Sequence, residues 1–177
     1  MGLALILTAS VEVRYVSPLD SIELAAVFSL MGKALELNNV RIELDMVDDA
    51  SMAEINYENM QCAGPTNILS FPMLYDSLSP YSTQDGAQPA SYSKMPLIST
   101  IGCSSLESPL LGTLVFSPET ARREAFLYGQ PLLEYTIFLL AHGLAHILGY
   151  EHGIAMDALV ERLSTAAWQY FSCEIKQ

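Results

Sequence analysis

Hydrophobic and polar residues alternate strictly from Val40 to Met46, which predicts a half-buried β-strand. Three other stretches rich in apolar residues predict further strands over 3–16, 65–72 and 111–117. Prolines bracket the 65–72 strand, and proline cannot donate a hydrogen bond to a neighbouring strand. We therefore expect this strand at an exposed edge of the sheet, where an extended substrate could lie alongside it.

Apolar residues at helical spacing predict longer helices over 22–35, 131–148 and 156–171. Two shorter helices are indicated by their start signals. Asp48 or Asp49 can cap one of them, and Ser117 followed by Pro118 starts the other.

The order of these elements predicts an α+β fold, with a mixed, mostly four-stranded sheet packed against helices. A length of 177 residues fits a single domain over 1–177. Residues 75–109 are rich in proline, glycine and serine, and we interpret them as a flexible insertion within that domain.

The charge of the chain opposes long-range attraction to a nucleic acid. Eight Lys and Arg residues against twenty Asp and Glu residues give a net charge of −12. The hydrophobic content is high, at 51%, but no apolar run reaches the roughly 18 residues that a membrane span needs. Three widely spaced cysteines predict neither a disulfide framework nor a cysteine metal site, so a reducing cytoplasm is expected.

All three histidines lie near the end of the 131–148 helix. His142 and His146 are four residues apart and share one helix face. Gly149 can end the helix in a left-handed conformation, so that the chain doubles back and brings His152 to the same point. Three imidazoles can hold a divalent metal and leave one position open, and zinc suits them best, with nickel, iron or copper as alternatives.

The histidine spacing is also found in zinc proteases, in which a glutamate follows the first histidine and acts as general base. Here that position is Gly143, which has no side chain. The sequence therefore disfavours peptide hydrolysis.

Three segments together resemble the YbeY family of bacterial endoribonucleases. The run His142–His152 is similar to the family signature HGxLHLxGYDH, and Pro65–Pro72 is similar to its segment PT(N/D)VLSFP. Leu111–Val115 resembles its strand LGDIVI. The resemblance covers nearly the whole chain apart from 75–109.

This resemblance implies a cytoplasmic, zinc-dependent, single-strand-specific endoribonuclease. It would mature the 3′ end of small-subunit rRNA and take part in ribosome quality control, with the small subunit and its proteins or assembly factors as partners. The implied fold is a zinc-protease-like sandwich with a zinc-binding helix. One Zn²⁺ per chain would be held by His142, His146 and His152.

Further residues are interpreted as working with this metal site. His142 and His146 are expected to be catalytic, and Glu151 is a candidate for the general base. The candidates for substrate binding are Asn56, Thr66, Asn67, Ser70, Phe71 and Arg122.

One departure from the family pattern supports an alternative. Met60 stands where the family has an arginine that would fit a phosphodiester. Together with the acidic charge, this favours a metal-binding ribosome-assembly factor with little or no catalysis, whose acidic surface would suit basic ribosomal proteins. A zinc hydrolase acting on another substrate is a third hypothesis.

Overall fold

The computed structural model describes residues 2–9, 13, 16–73 and 108–174. Within these residues it contains four strands and five helices with defined bounds, which confirms the predicted α+β class. The elements are β1 Leu3–Ala9, α1 Ser21–Ala34, β2 Val40–Met46, α2 Asp49–Met60, β3 Ile68–Pro72, β4 Leu110–Phe116, α3 Pro118–Leu127, α4 Leu132–Ile147 and α5 Ile154–Glu174. None of the helices in the described ranges is both long and apolar enough to cross a membrane.

The four strands form one sheet in the order β1-β2-β4-β3. β1, β2 and β4 run parallel, and β3 is antiparallel to β4, with Leu69 opposite Val115. β3 therefore lies at an edge of the sheet, as the prolines that bracket the predicted 65–72 strand indicate, although the strand begins only at Ile68. The strand predicted from the alternation at 40–46 is also confirmed, with Val40 and Met46 as its ends.

The prediction of a strand over 3–16 is wrong at the two described residues between Ala9 and Ser17. β1 ends at Ala9, and both Val13 and Val16 are helical. The alternation of apolar residues near Val13 resembles a strand, but Val13 is buried in the main core, so tertiary packing overrides its local β-propensity. The insertion predicted at 75–109 lies outside the described residues except for Ser108 and Pro109.

Capping residues fix where the shorter helices begin. Asp48, rather than Asp49, caps α2 by accepting a hydrogen bond from the backbone N–H of Ser51. Ser117 caps α3 through the N–H of Thr120, with Pro118 at the first helical position as predicted.

The two faces of the sheet carry different hydrophobic clusters. Leu114 belongs to the main core with buried residues of α1, α4 and α5. Val115, the next residue along β4, points to the opposite face, where it forms a small cluster with Leu69 and with Met52 of α2. The sheet is thus covered near β3 on both faces, by α4 and by α2.

Helix α4 packs unusually closely against β3 and β4 because Gly143 faces them. A Cβ atom at position 143 would lie 2.7 Å from Cδ1 of Ile68 and 2.9 Å from Cδ2 of Leu114. The hydroxyl of Ser70 also donates to the carbonyl oxygen of Gly143 at 3.1 Å. This contact places the last turns of α4 directly beside the edge strand.

Candidate metal centre

Helix α4 ends in a Schellman motif that reverses the chain. The N–H of Gly149 donates to the carbonyl of His146 at 2.9 Å, and the N–H of Tyr150 donates to that of Ala145 at 3.1 Å. Gly149 has a φ of +84°, in the left-handed region where a glycine carries no steric penalty. The reversal brings His152 back over the helix end.

The three imidazoles converge on one point. Nε2 of His142 lies 3.2 Å from Nε2 of His146 and 3.4 Å from Nε2 of His152. Two nitrogens bound to one zinc ion in tetrahedral geometry would be about 3.3 to 3.4 Å apart. The donor set and its spacing therefore fit a metal ion such as zinc, with room for a fourth ligand.

A backbone contact orients one of the rings. Nδ1 of His146 lies 3.0 Å from the carbonyl oxygen of Tyr150. Because a carbonyl oxygen only accepts hydrogen bonds, Nδ1 carries the proton, and Nε2 of the neutral ring keeps its lone pair for a metal.

The surroundings of the histidines favour their neutral, metal-binding form. Burial lowers the pKa of His142, and the neighbouring His146 and His152 lower it further. Burial also lowers the pKa of His146, against the opposing effect of its bond to the Tyr150 carbonyl. Both rings are therefore held neutral at physiological pH.

The histidines open onto a cleft of about 610 Å³ between α4 and β3. Its lining is mostly apolar, and no lysine or arginine is among the described residues that line it. The lining residues are Met60, Asn67, Ile68, Leu69, Ser70, Pro72, Tyr135, Phe138, Leu139, His142, His146 and His152.

The carboxylate of Glu124 joins the two walls of the cleft. It accepts a hydrogen bond from Nδ2 of Asn67 at 2.7 Å, at the start of the β3 wall. It also accepts one from the hydroxyl of Tyr135 at 2.9 Å, on the α4 wall. Burial, together with Glu124, raises the pKa of Tyr135 far above its ordinary value, so the hydroxyl keeps its proton and donates.

Among the residues predicted to bind substrate, Asn67 and Ser70 line the cleft. Thr66 is half-buried in the loop just before β3. Asn56 is buried, and its Nδ2 donates to the carbonyl of Gly64 at 2.9 Å, where it holds the loop that leads to β3.

Three other predicted residues lie outside the cleft lining. Phe71 packs on the opposite face of the sheet, against the small cluster that contains Met52. Arg122 is directed to the N-terminal segment, where it donates to the carbonyl of Val16 at 3.0 Å. Glu151 is exposed and directly precedes His152.

The sequence reasoning missed the apolar residues that line the cleft, above all Tyr135 and Phe138. Their signal was present, because Phe138 is four residues before His142 and so lies on the same face of the helix. Glu124 gave no such signal, since it contacts Asn67 across 57 positions of sequence.

Comparison with known proteins agrees with this architecture. The family model for endoribonuclease YbeY matches residues 19–164. The endoribonuclease YbeY of Nitratidesulfovibrio vulgaris is 44% identical over 150 residues, which cover 85% of this chain and 86% of that protein. The corresponding protein of Oleidesulfovibrio alaskensis is 35% identical, with 85% and 84% covered.

A solution structure from Thermotoga maritima has a similar fold, with a TM-score of 0.58 and 13% identity over 97% of this chain and 93% of that one. The match of the family model over most of the chain and the identity to these relatives are together decisive. The chain belongs to the YbeY endoribonuclease family.

Proposed function

We propose that this protein is a zinc-dependent endoribonuclease that cleaves single-stranded RNA. Its role would be the 3′-end maturation of small-subunit rRNA and ribosome quality control in the cytoplasm, with the small subunit, ribosomal proteins or assembly factors as partners. One observation carries the proposal. In a member of an endoribonuclease family, Nε2 of His146 and Nε2 of His152 lie 3.2 Å and 3.4 Å from Nε2 of His142 at the mouth of a cleft, close to the separation of two nitrogens that share a zinc ion.

Different residues of the chain would have different roles at the site. His142, His146 and His152 would hold the metal, and the Tyr150 carbonyl keeps the His146 ring in its ligating tautomer. When bound by three imidazoles, zinc lowers the pKa of a water to about 7 and polarises a phosphoryl oxygen. Glu151, exposed next to His152, is our candidate for the general base.

The edge strand supplies a surface for the substrate. Within the described part of the chain, β3 pairs only with β4, and several of its residues, among them Ile68 and Ser70, line the cleft. We expect Asn67 and Ser70, which line the cleft, to contact the RNA. Thr66 and Asn56 would act with them by shaping the loop that leads into β3.

The lining of the cleft favours a second candidate function. Met60 lies in the lining where the family pattern has an arginine, and the chain carries a net charge of −12. A site with so few cations binds phosphates weakly. The second candidate is therefore a metal-binding ribosome-assembly factor that acts through protein contacts with little catalysis.

Metal analysis and an RNA cleavage assay would test the two candidates. We expect about one zinc per chain, cleavage of single-stranded rRNA 3′ ends, and loss of both in His142→Ala or with a chelator. Glu134→Gln, an exposed residue of the same helix, is the control and should retain both.

Cleavage that persists unchanged in His142→Ala would exclude the zinc mechanism. Zinc binding without any cleavage, together with co-purification of small subunits that does not depend on zinc, would favour the assembly factor.

A further inference from the structure

We propose that Phe138 is a stacking platform for an unpaired RNA base next to the metal centre. The inference rests on the proposed endoribonuclease function and adds to it the way in which the substrate is held. Phe138 lines the cleft and is 44% exposed, although apolar residues around it on α4, such as Ile137 and Leu139, are buried. Its ring centroid lies 5.9 Å from that of His142.

The Phe138 ring is held in place by a neighbouring aromatic ring. It stacks on Tyr135 with a centroid distance of 6.3 Å and an interplanar angle of 19°. Tyr135 is buried, and its hydroxyl is bonded to Glu124. The platform is therefore positioned before any ligand binds, which lowers the entropic cost of stacking on it.

The rest of the cleft suits a base better than a phosphate. Met60 and Pro72 add apolar surface, and the volume of about 610 Å³ is typical of a site for a small organic group. The two arginines of α3 have other partners, since Arg122 donates to Val16 and Arg123 pairs with Asp49.

A hydrophobic protein segment is the other ligand that an apolar cleft could accept. The position of Phe138 favours RNA, because the platform is one helical turn from His142, where a phosphodiester would be cleaved. A base on Phe138 would place its own phosphate group close to the three imidazoles. Base stacking also tolerates an acidic protein, because it needs no cation.

This mode of binding predicts a weak dependence on salt. Each phosphate that a cation neutralises on a single strand contributes about 0.7 to the slope of log affinity against log salt. With no lysine or arginine among the described lining residues, we expect a slope below about 1.

The test measures binding of the zinc-loaded protein to a short single-stranded RNA that carries 2-aminopurine, recorded by stopped flow before cleavage. Phe138→Leu should weaken binding about fivefold or more and reduce the quenching of 2-aminopurine. Phe138→Tyr keeps an aromatic ring and should retain the wild-type RNA affinity and the wild-type quenching of 2-aminopurine. Phe126→Leu is the matched control, because Phe126 is 86% exposed and does not line the cleft, and it should bind like the wild type.

The wild type should bind an RNA with an abasic site at the stacked position more weakly than intact RNA, by the same factor. Phe138→Leu should bind the abasic RNA no more weakly than it binds intact RNA. Unchanged RNA affinity in Phe138→Leu would overturn the inference and leave a protein segment as the ligand of this surface. If Phe138→Leu lowered the affinity for abasic RNA as much as the affinity for intact RNA, the inference would also be overturned. If binding depends on Phe138 and the base but no RNA is cleaved, the proposed function fails and the stacking platform stands.

Discussion

Nδ1 of His146 lies 3.0 Å from the carbonyl oxygen of Tyr150, so the residue just beyond the helix end orients a ring within its last turn. The contact exists because Gly149 reverses the chain in a left-handed conformation. The geometry of the metal centre therefore depends on one backbone conformation as well as on its three imidazoles.

Replacing Gly149 should weaken metal binding without removing a ligand. Gly149→Ala forces a Cβ atom into the left-handed region, which should cost about 1 kcal/mol of unfolding free energy. It should also displace the Tyr150 carbonyl and weaken zinc binding at least about tenfold, as loss of a partner behind a ligand usually does. Calorimetric titration with zinc measures the effect.

The control is Gly129→Ala. Gly129 has a φ of +64° with nothing within 4 Å of an added Cβ, so it carries the same backbone strain away from the histidines. We expect Gly129→Ala to lower the free energy of unfolding about as much as Gly149→Ala does and to keep the zinc affinity of the wild type. Equal zinc affinities in the two variants would show that the reversal at Gly149 does not orient the site.

A glutamate at position 143 should not create a protease. It would complete the sequence pattern of zinc proteases, but position 143 faces Ile68 and Leu114 at contact distance rather than the cleft. Burying a carboxylate there should destabilise the protein by more than about 3 kcal/mol. Chemical denaturation measures this loss.

Gly143→Ala separates packing from charge at the same position. The added methyl meets only the ends of flexible side chains, and alanine favours the helix, so a loss of no more than about 1.5 kcal/mol is expected. A stable Gly143→Glu variant that cleaves peptides would contradict this account of the helix packing.

The junction of α2 and α3 should make stability depend on acid pH. Burial opposes the ionisation of Asp49, but hydrogen bonds from Arg123, Thr120 and Ser117 outweigh it and lower its pKa from the usual 3.8. The stabilisation is complete above the unfolded-state pKa and is lost as the pH falls through the lower folded-state value. Asp49→Asn should cost about 1 to 2 kcal/mol at neutral pH.

The difference in unfolding free energy between Asp49→Asn and the wild type should shrink below about pH 4, because the wild-type carboxylate then becomes protonated and loses its charge. Glu54→Gln, which removes an exposed charge from the same helix, should change stability little at any pH. A constant difference from neutral pH to acid would refute this role for Asp49.

Introducing the arginine of the family pattern at Met60 should strengthen RNA binding through a phosphate contact. Met60 lines the cleft and is 49% exposed, so a longer side chain has room. Met60→Arg should steepen the salt dependence of RNA affinity by about 0.7 in slope. Ile22→Arg adds the same charge on α1, outside the cleft lining, and should leave the slope nearly unchanged. Equal slopes in both variants would contradict a phosphate contact at position 60.

Local patterns predicted the parts of the fold that local chemistry determines. The alternation at 40–46 gave β2, and the serine and proline at 117 and 118 gave the start of α3. The histidine spacing and Gly149 were enough to predict that three imidazoles meet, because a helix and its C-terminal cap set their relative positions.

Contacts between distant segments could not be predicted in this way. Nothing in the sequence near Asn67 indicates that it pairs with Glu124, and alternation alone does not tell which face of the sheet Phe71 occupies. The prediction of a strand at Val13 was wrong for the same reason, since the burial of Val13 depends on the core that surrounds it.

The double role of the Glu124 carboxylate limits how the cleft can change shape. Because the same group is bonded to Asn67 on one wall and to Tyr135 on the other, neither wall can swing outward alone without breaking a charge-assisted hydrogen bond. Among the residues that the structure describes, one carboxylate thus sets the separation of the two walls, and a ligand that enters between them has to fit that separation.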